Sequence, residues 1–552
     1  MNNSKQMSWL QSKQIRALII LLVFVAAFVV RLHNINKPPL DFAPIRQYQA
    51  AHLTRSYFYE DLEAIPVWKR EMAKTNYEMM TFTLEPQIME TLALYGFRAT
   101  GKENLSIPRV LSIIFWLTGG FFLYLLALKL MHRDAALVST VLFLFIPYGI
   151  SASRSFQPDA MMLMMMLISL YGIFLYHESP LKKRLLLAAT AAGIAIYIKP
   201  YCIFIIYGAF LPVCIYRYRF KKMFLNFDFW LFSLAAGWLP FLHYGIGLLS
   251  AGDISLHMQG SFLPYLLLKP YFWMDWLKMI GRTSGLFFFA CALWGLFTQY
   301  KGFGKTLIAG LWIGYFAYGI FATFHIHTHD YYQLIFLPVM VLSAGPSLYL
   351  IVGAVTRHRV ISLIILTVLG ITASVSISMF NMKEILQENK NIILNIAAVG
   401  GINPQFNEFI TNKNEDDVRM AEKIGDLVGH NKKNLMLTEY YGRFLTYYGF
   451  ISGLPWFDDD SLSEMRKRGV AKMSAEDIFT PCHIVVRTHK KTKTRYLEYQ
   501  PDYFIITNFE EFERQPDLKK YLNDNFPIFD KQEKYLIYDT GAVFSKCEQL
   551  MF

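Results

Sequence analysis

The sequence is poor in charge and in cysteine, and each shortage removes a class of protein. Charged side chains make up 17% of its 552 residues, where soluble domains carry about a quarter. The shortage is confined to the part before residue 380, where apolar blocks follow one another; beyond it the composition is ordinary. Five cysteines form no Cys-x-x-Cys pair, which argues against a zinc ribbon or a dithiol redox motif. Cys482 and Cys547 could pair in an oxidising compartment, and two buried free thiols account for them equally well. Internal repeats and low-complexity tracts are absent. Gly302-Phe303-Gly304-Lys305-Thr306 lacks the first glycine of a phosphate loop and sits between apolar blocks. The net charge of +12 comes without finger spacing or a stacking-plus-basic motif, so nucleic acid is not an expected partner. Membrane proteins gather Lys and Arg in cytoplasmic loops, which explains the excess more simply. Small residues suited to signal cleavage are missing from Val30-Arg31-Leu32-His33, so the first apolar block reads as a retained anchor.

What the sequence has is apolar surface: 54% hydrophobic and 16% aromatic residues. A bilayer crossing takes about 20 mainly apolar residues. About eleven segments qualify in whole or part, with cores at 17–30, 110–130, 135–150, 160–176, 185–198, 201–216, 230–249, 286–297, 307–324, 334–352 and 360–380. With a cytoplasmic N-terminus, alternate loops carry His132-Arg133, Lys182-Lys183-Arg184, Arg217 to Lys222, Lys301 with Lys305, and Arg357-His358-Arg359. That agrees with the excess of cations in cytoplasmic loops. The reading is therefore an α-helical polytopic membrane protein of the cell membrane. Residues 1–380 form the multi-span domain, with a long outer loop over 31–106. Residues 381–552 form a small extracytoplasmic α/β domain, with β-rich runs at 434–438, 484–486, 503–506 and 535–538.

Polar groups collect at span ends on the expected outer face: Asp41 and Arg46, Glu85, Arg154 with Asp159, Lys199, Arg282, and the string His325-Ile-His-Thr-His-Asp-Tyr-Tyr332. Cations there run against the orientation bias, and ionisable groups near membrane depth are costly unless paired or used. Each has a plain explanation when taken singly. Asp41 could cap an interfacial helix, Asp159 begins a span after a proline, and Arg46 could snorkel. Their convergence suits one reaction. Breaking the glycosidic bond of a lipid-linked sugar phosphate increases charge on the phosphate, which fixed Lys, Arg and Tyr donors would stabilise. A nearby carboxylate would take the proton of the attacking acceptor. His325, His327 and His329 share a side only if extended, which leaves a divalent metal open without a visible ligand set.

The order of several segments resembles the GT-C superfamily of polyprenyl-phosphate-sugar glycosyltransferases, in particular lipid A aminoarabinose transferases and protein O-mannosyltransferases. The resemblance covers roughly the first 350 residues, judged by segment order and spacing. It rests on Pro38-Pro-Leu-Asp-Phe-Ala-Pro-Ile-Arg46, Leu84-Glu-Pro-Gln87, Tyr95-Gly96, Ile107-Pro-Arg109, Tyr197-Ile-Lys-Pro200 and His329-Asp-Tyr-Tyr-Gln-Leu334. It implies a GT-C type fold and inverting transfer from a polyprenyl-phosphate sugar to a cell-envelope glycan, lipid or protein. Asp41 would be the base and Glu85 its alternative, since Ala43 and Pro44 stand where the family usually has its acid. Arg46, Lys199, Arg154, Arg282, Tyr331 and Tyr332 would hold the donor phosphate, with Asp159, His329 and Asp330 as further candidates. A transporter or flippase of lipid-linked saccharides is the competing reading. Paired halves and midplane ions, which transporters tend to show, are not evident.

Overall fold

A computed structural model describes residues 13–79, 85–246, 261–355, 415–458, 479–480, 483–490 and 493–542. The expected span at 360–380, the basic cluster at Arg357, the boundary after residue 380, and Cys482 and Cys547 lie outside the described residues. The chain divides into two compact units: Met1–Ala43, Thr83–Leu92 and Asn104–Asn412 in one, Pro44–Phe82, Ala93–Glu103 and Lys413–Phe552 in the other. The loop expected over 31–106 is thus shared between them.

The first unit is helical, and the described residues of the expected apolar segments through 334–352 lie mostly in helix. Among the described residues, five helices have the length and hydropathy for a crossing: Gln14–Leu32, Ser106–Leu130, Asp159–Glu178, Pro200–Tyr218 and Phe336–Gly353. Other segments are shorter because prolines and glycines divide them. The expected 135–150 segment is two helices, Arg133–Phe145 and Pro147–Ala152, with Pro147 at the first position of the second. Proline has no N–H to continue a helix and suits the start of the next. The 230–249 segment is Phe227–Pro240 followed by a π turn over Phe241–Gly245. Asn226 caps it, its side chain accepting from the Asp228 amide at 2.8 Å.

Small residues set the helix contacts. Helices Ile203–Tyr218 and Gly304–Phe321 meet where Gly208 faces Gly310. A Cβ on Gly310 would lie 2.1 Å from the Gly208 carbonyl oxygen. With no hydrophobic drive between helices in lipid, such close backbone approach supplies the packing. The unit is a multi-pass helical membrane domain.

In the second unit, β1 (Asn434–Leu437), β2 (Gly453–Pro455), β6 (Tyr503–Ile506), β7 (Ile528–Lys531) and β8 (Leu536–Asp539) form a sheet of order β2-β1-β6-β8-β7. β1 pairs in parallel with β2 and β6, while β8 pairs antiparallel with β6 and β7. A separate antiparallel sheet joins β3 (Phe479–Thr480), β4 (His483–Lys490) and β5 (Lys493–Tyr499). Leu435, Leu437, Phe504, Ile506, Leu518, Leu522 and Tyr538 form a core under the mixed sheet. The helix Pro44–Glu60 belongs to the same unit. Its buried Arg55 holds Glu103 at 2.9 Å and lies 3.5 Å from the centre of the Tyr447 ring. Among the described residues Cys202, Cys214 and Cys291 are buried and free.

Candidate active site

Pro200 decides where Lys199 goes. A residue before proline is pushed to extended backbone, and Lys199, at φ −145° and ψ 112°, ends the helix Lys182–Ile198 there. Its side chain therefore leaves the helix end instead of lying along it. Nζ donates to both oxygens of Asp159, at 2.8 and 3.0 Å. Asp159 lies in the first turn of the preceding helix, Asp159–Glu178, where the helix dipole favours an anion. Glu85 approaches the same ammonium at 3.5 Å, with its side chain 25% exposed against 3% for Asp159. Lys199 also lies 5.7 Å from the centre of the Tyr331 ring, within cation–π range. One buried cation is thus shared by a buried acid, a partly open acid and a tyrosine face.

The neighbouring segment Asp330–Gln333 is a short 3-10 turn. Burial raises the Asp330 carboxyl above its ordinary value, while Tyr148 beside it and the charge of Arg282 pull it back. Arg282 is exposed in the last turn of Pro270–Ser284. Burial, and then the charge of His327, hold the His329 imidazole below its usual value. Tyr332 stacks on His325 at 4.5 Å and 7°, and His325 Nε2 meets Ser261 Oγ at 2.9 Å. Thr323–Thr328 is helical, so the three histidines do not line one face as an extended segment would place them. Among the described residues no group of three or more His, Cys, Asp or Glu is placed to hold a metal ion.

Asp41 sits in a different setting. Its Oδ2 takes Arg109 Nη2 at 2.8 Å and Arg154 Nε at 3.0 Å, and all three side chains are 0% exposed. Arg109 also donates to the carbonyls of Ile35, Lys37 and Arg154 at 2.7, 2.9 and 3.1 Å. Arg31, equally buried, donates to Ser153 Oγ and to the carbonyls of Ala27 and Leu144. Backbone carbonyls thus offset cations that the single carboxylate cannot. Desolvated ion pairs of this kind need such extra partners to hold. Phe42, next to Asp41, packs edge-on against Tyr148 at 5.3 Å, which joins this triad to the Asp330 side of the cluster.

An apolar groove is linked to the cluster by a run of aromatic rings. Ile203, Phe204, Tyr207, Ile313, Ala317 and Phe321 line a cavity of about 460 Å³ between the helices that meet at Gly208 and Gly310. Phe204 reaches Tyr318 at 6.1 Å, and Tyr318 reaches Tyr201 at 5.4 Å. Tyr201 in turn touches Tyr332 at 5.5 Å. Aromatic rings therefore run from the groove to the residues around Lys199.

Of the residues singled out in the sequence, Glu85, Asp159, Lys199 and Tyr331 come together. Tyr332, Asp330, His329 and Arg282 lie beside them, and Arg154 holds Asp41. Arg46 falls in the second unit, in the first turn of Pro44–Glu60. Sequence reasoning did not assign roles to Tyr148 and Tyr201. Both lie in X-Pro-Tyr strings at helix breaks, Ile146-Pro-Tyr148 and Lys199-Pro-Tyr201, a signal that could have found them.

Comparison with known proteins agrees with this architecture. Residues 92–244 match the family described as dolichyl-phosphate-mannose-protein mannosyltransferase. The fold is similar to that of ArnT from Cupriavidus metallidurans bound to undecaprenyl phosphate. The TM-score is 0.51 at 11% identity, over 94% of this chain and 98% of that one. Against ArnT in the apo state the values are 0.52 and 12%, over 96% and 99%. No curated protein matches by sequence. The family match over residues 92–244 and the similarity of fold agree with the resemblance to the GT-C superfamily drawn from the sequence. The chain is similar in fold to ArnT along nearly its whole length, at an identity that speaks for the fold alone.

Proposed function

We propose that this protein transfers a sugar from a polyprenyl-phosphate donor to a cell-envelope acceptor at the extracytoplasmic face of the membrane, with inversion at the anomeric carbon. The observation that carries this reading is the meeting of Lys199, Glu85, Asp159 and Tyr331, joined by a run of aromatic rings to an apolar groove. The groove suits a prenyl chain, and the ammonium suits the phosphate at its head.

In the reaction, an acceptor hydroxyl attacks the anomeric carbon from the face opposite the phosphate. Glu85 takes its proton, the carbon–oxygen bond to phosphate breaks, and polyprenyl phosphate leaves with the bonding pair. Lys199, Tyr331 and Arg282 stabilise the charge that grows on that phosphate. Asp159 holds Lys199 in place. Glu85 is preferred to Asp41 as base because a base must reach the acceptor. Glu85 is partly open, whereas Asp41 is enclosed with both arginines on one oxygen. Asp41 then organises Arg109 and Arg154 behind the site.

The test is direct. Purified protein is given a radiolabelled polyprenyl-phosphate sugar and an envelope extract, without nucleotide. Label appearing in an acceptor, with release of polyprenyl phosphate, is the expected result. Passage of intact donor across liposomes without transfer would replace this reading with a flippase.

A further inference from the structure

At the other end of the first unit lies a second collection of charge that the transfer reaction does not use. Asp159–Glu178 and Lys182–Ile198 run between the two ends. Helices of that length separate the ends by about 25–30 Å at 1.5 Å per residue, close to the thickness of a hydrocarbon core. Lys182, Lys183 and Arg184 occupy the first turn of a helix, where the dipole repels cations. A loop does not have to place its positive charges there. Arg217, Arg219, Lys221 and Lys222 follow at the elbow between Ile203–Tyr218 and Phe227–Pro240.

The two stretches are built into one surface. Asp228, buried, pairs with Lys182 and accepts hydrogen bonds from the hydroxyls of Tyr176 and Tyr218. Those hydroxyls lie 2.9 Å apart, and Arg217 donates to the His177 carbonyl at 3.0 Å. Asp228 thus neutralises Lys182 only. Among the described residues Lys183, Arg219, Lys221 and Lys222 form no ion pair, and all four are exposed. Exposed apolar side chains alternate with them: Phe220 at 61%, Phe224 at 44% and Phe227 at 68%. Arg219 has φ 63°, a backbone state that L-residues rarely adopt, and it turns the elbow so that Phe220 to Met223 forms a short helix of its own.

We infer that this elbow binds the headgroup of an acidic glycerophospholipid in the leaflet opposite the candidate active site. The exposed cations face its phosphate, and Phe220, Phe224 and Phe227 sit among its upper acyl chains. Cation excess alone would serve orientation of the chain. The interleaved phenylalanines are what select a lipid over a soluble anion, because a soluble anion gives them nothing to bury in. Basic clusters flanking membrane helices bind acidic lipid by this combination of charge and apolar insertion.

The test uses the full chain in nanodiscs of mixed phosphatidylglycerol and phosphatidylcholine, with retained lipid read by native mass spectrometry. Wild type should retain phosphatidylglycerol over phosphatidylcholine by about tenfold, and K183Q/R219Q/K221Q/K222Q should bring the ratio near one, given the charge dependence of such sites. The charge-keeping variant R219K/K221R/K222R should retain the preference, which separates loss of charge from loss of fold. Equal retention of both lipids by wild type, or an unchanged preference in the glutamine variant, would overturn the assignment. Displacement by soluble glycerol phosphate at matched concentration would also overturn it, since the aromatic residues would then contribute nothing.

Discussion

Replacing Lys199 by methionine removes the ammonium and keeps most of its length, which makes it the sharpest probe of the candidate site. Lys199 Nζ lies 2.8 Å from Asp159 Oδ1, on a carboxylate only 3% exposed. At an effective dielectric of about 20, that pair attracts by about 6 kcal/mol before desolvation is counted. Taking both ions out of water costs several kcal/mol each, so the intact pair adds little net stability. Removing one partner is different, because the remaining charge stays buried. K199M should lose about 3–5 kcal/mol, the usual penalty for an abandoned buried ion. Asp159→Asn should fall in the same direction, and K199M/D159N should recover a coupling of about 1–3 kcal/mol, as neighbouring groups do in a double-mutant cycle. Thermal unfolding in detergent reads these differences. Sugar transfer reads something else: the double variant should stay inactive and bind donor at least about tenfold more weakly, since a phosphate loses a charge-assisted partner. A K199M protein that melts like wild type would mean the pair is not formed. A double variant with normal transfer would reduce Lys199 and Asp159 to a structural clasp.

Glu85→Gln should cut turnover by about a hundredfold or more, the span of general-base contributions, with donor affinity changed less than about twofold; normal turnover removes Glu85 as base. Asp41→Asn should destabilise the protein by about 3–5 kcal/mol, because it leaves the buried guanidinia of Arg109 and Arg154 without an anion. Unchanged melting with lost turnover would instead make Asp41 the base that the resemblance implies. Burial raises the Asp330 carboxyl, so its ionisation costs the folded state. That cost is absent below the ordinary carboxylate range, grows as pH rises from there, and is complete above the raised value. Asp330→Asn should therefore melt higher than wild type at neutral pH and at the same temperature in strong acid; a gain that persists in acid would contradict this. Ala317→Trp should fill the apolar groove and weaken binding of a long-chain donor by about tenfold or more, as lost burial of prenyl surface requires. A water-soluble short-chain donor should bind it as before, and equal losses for both would place the chain elsewhere.

The sequence by itself determined the helical membrane part, because bilayer crossing imposes a length and an apolarity that composition displays directly. The described residues of the expected segments are mostly helical; Pro158 and Pro200 fall at expected segment boundaries, whereas the break at Pro147 divides a segment read as one. β1, β6 and β8 were legible as apolar, β-branched or aromatic runs. β2 and β7 were not: β2 is Gly-Leu-Pro and β7 is exposed along most of its length, so neither has a local signature. The site residues were visible only as a set of charges in the wrong place for their loops. Which of them meet depends on contacts between residues far apart in sequence, and no local pattern carries that information. Lys199 reaches Asp159 across 40 positions and Asp41 reaches Arg109 across 68. The tertiary structure alone separated the two acids that the sequence left side by side, enclosing Asp41 between arginines and leaving Glu85 partly open to solvent, because burial is set by what packs around a side chain and not by its neighbours in the chain.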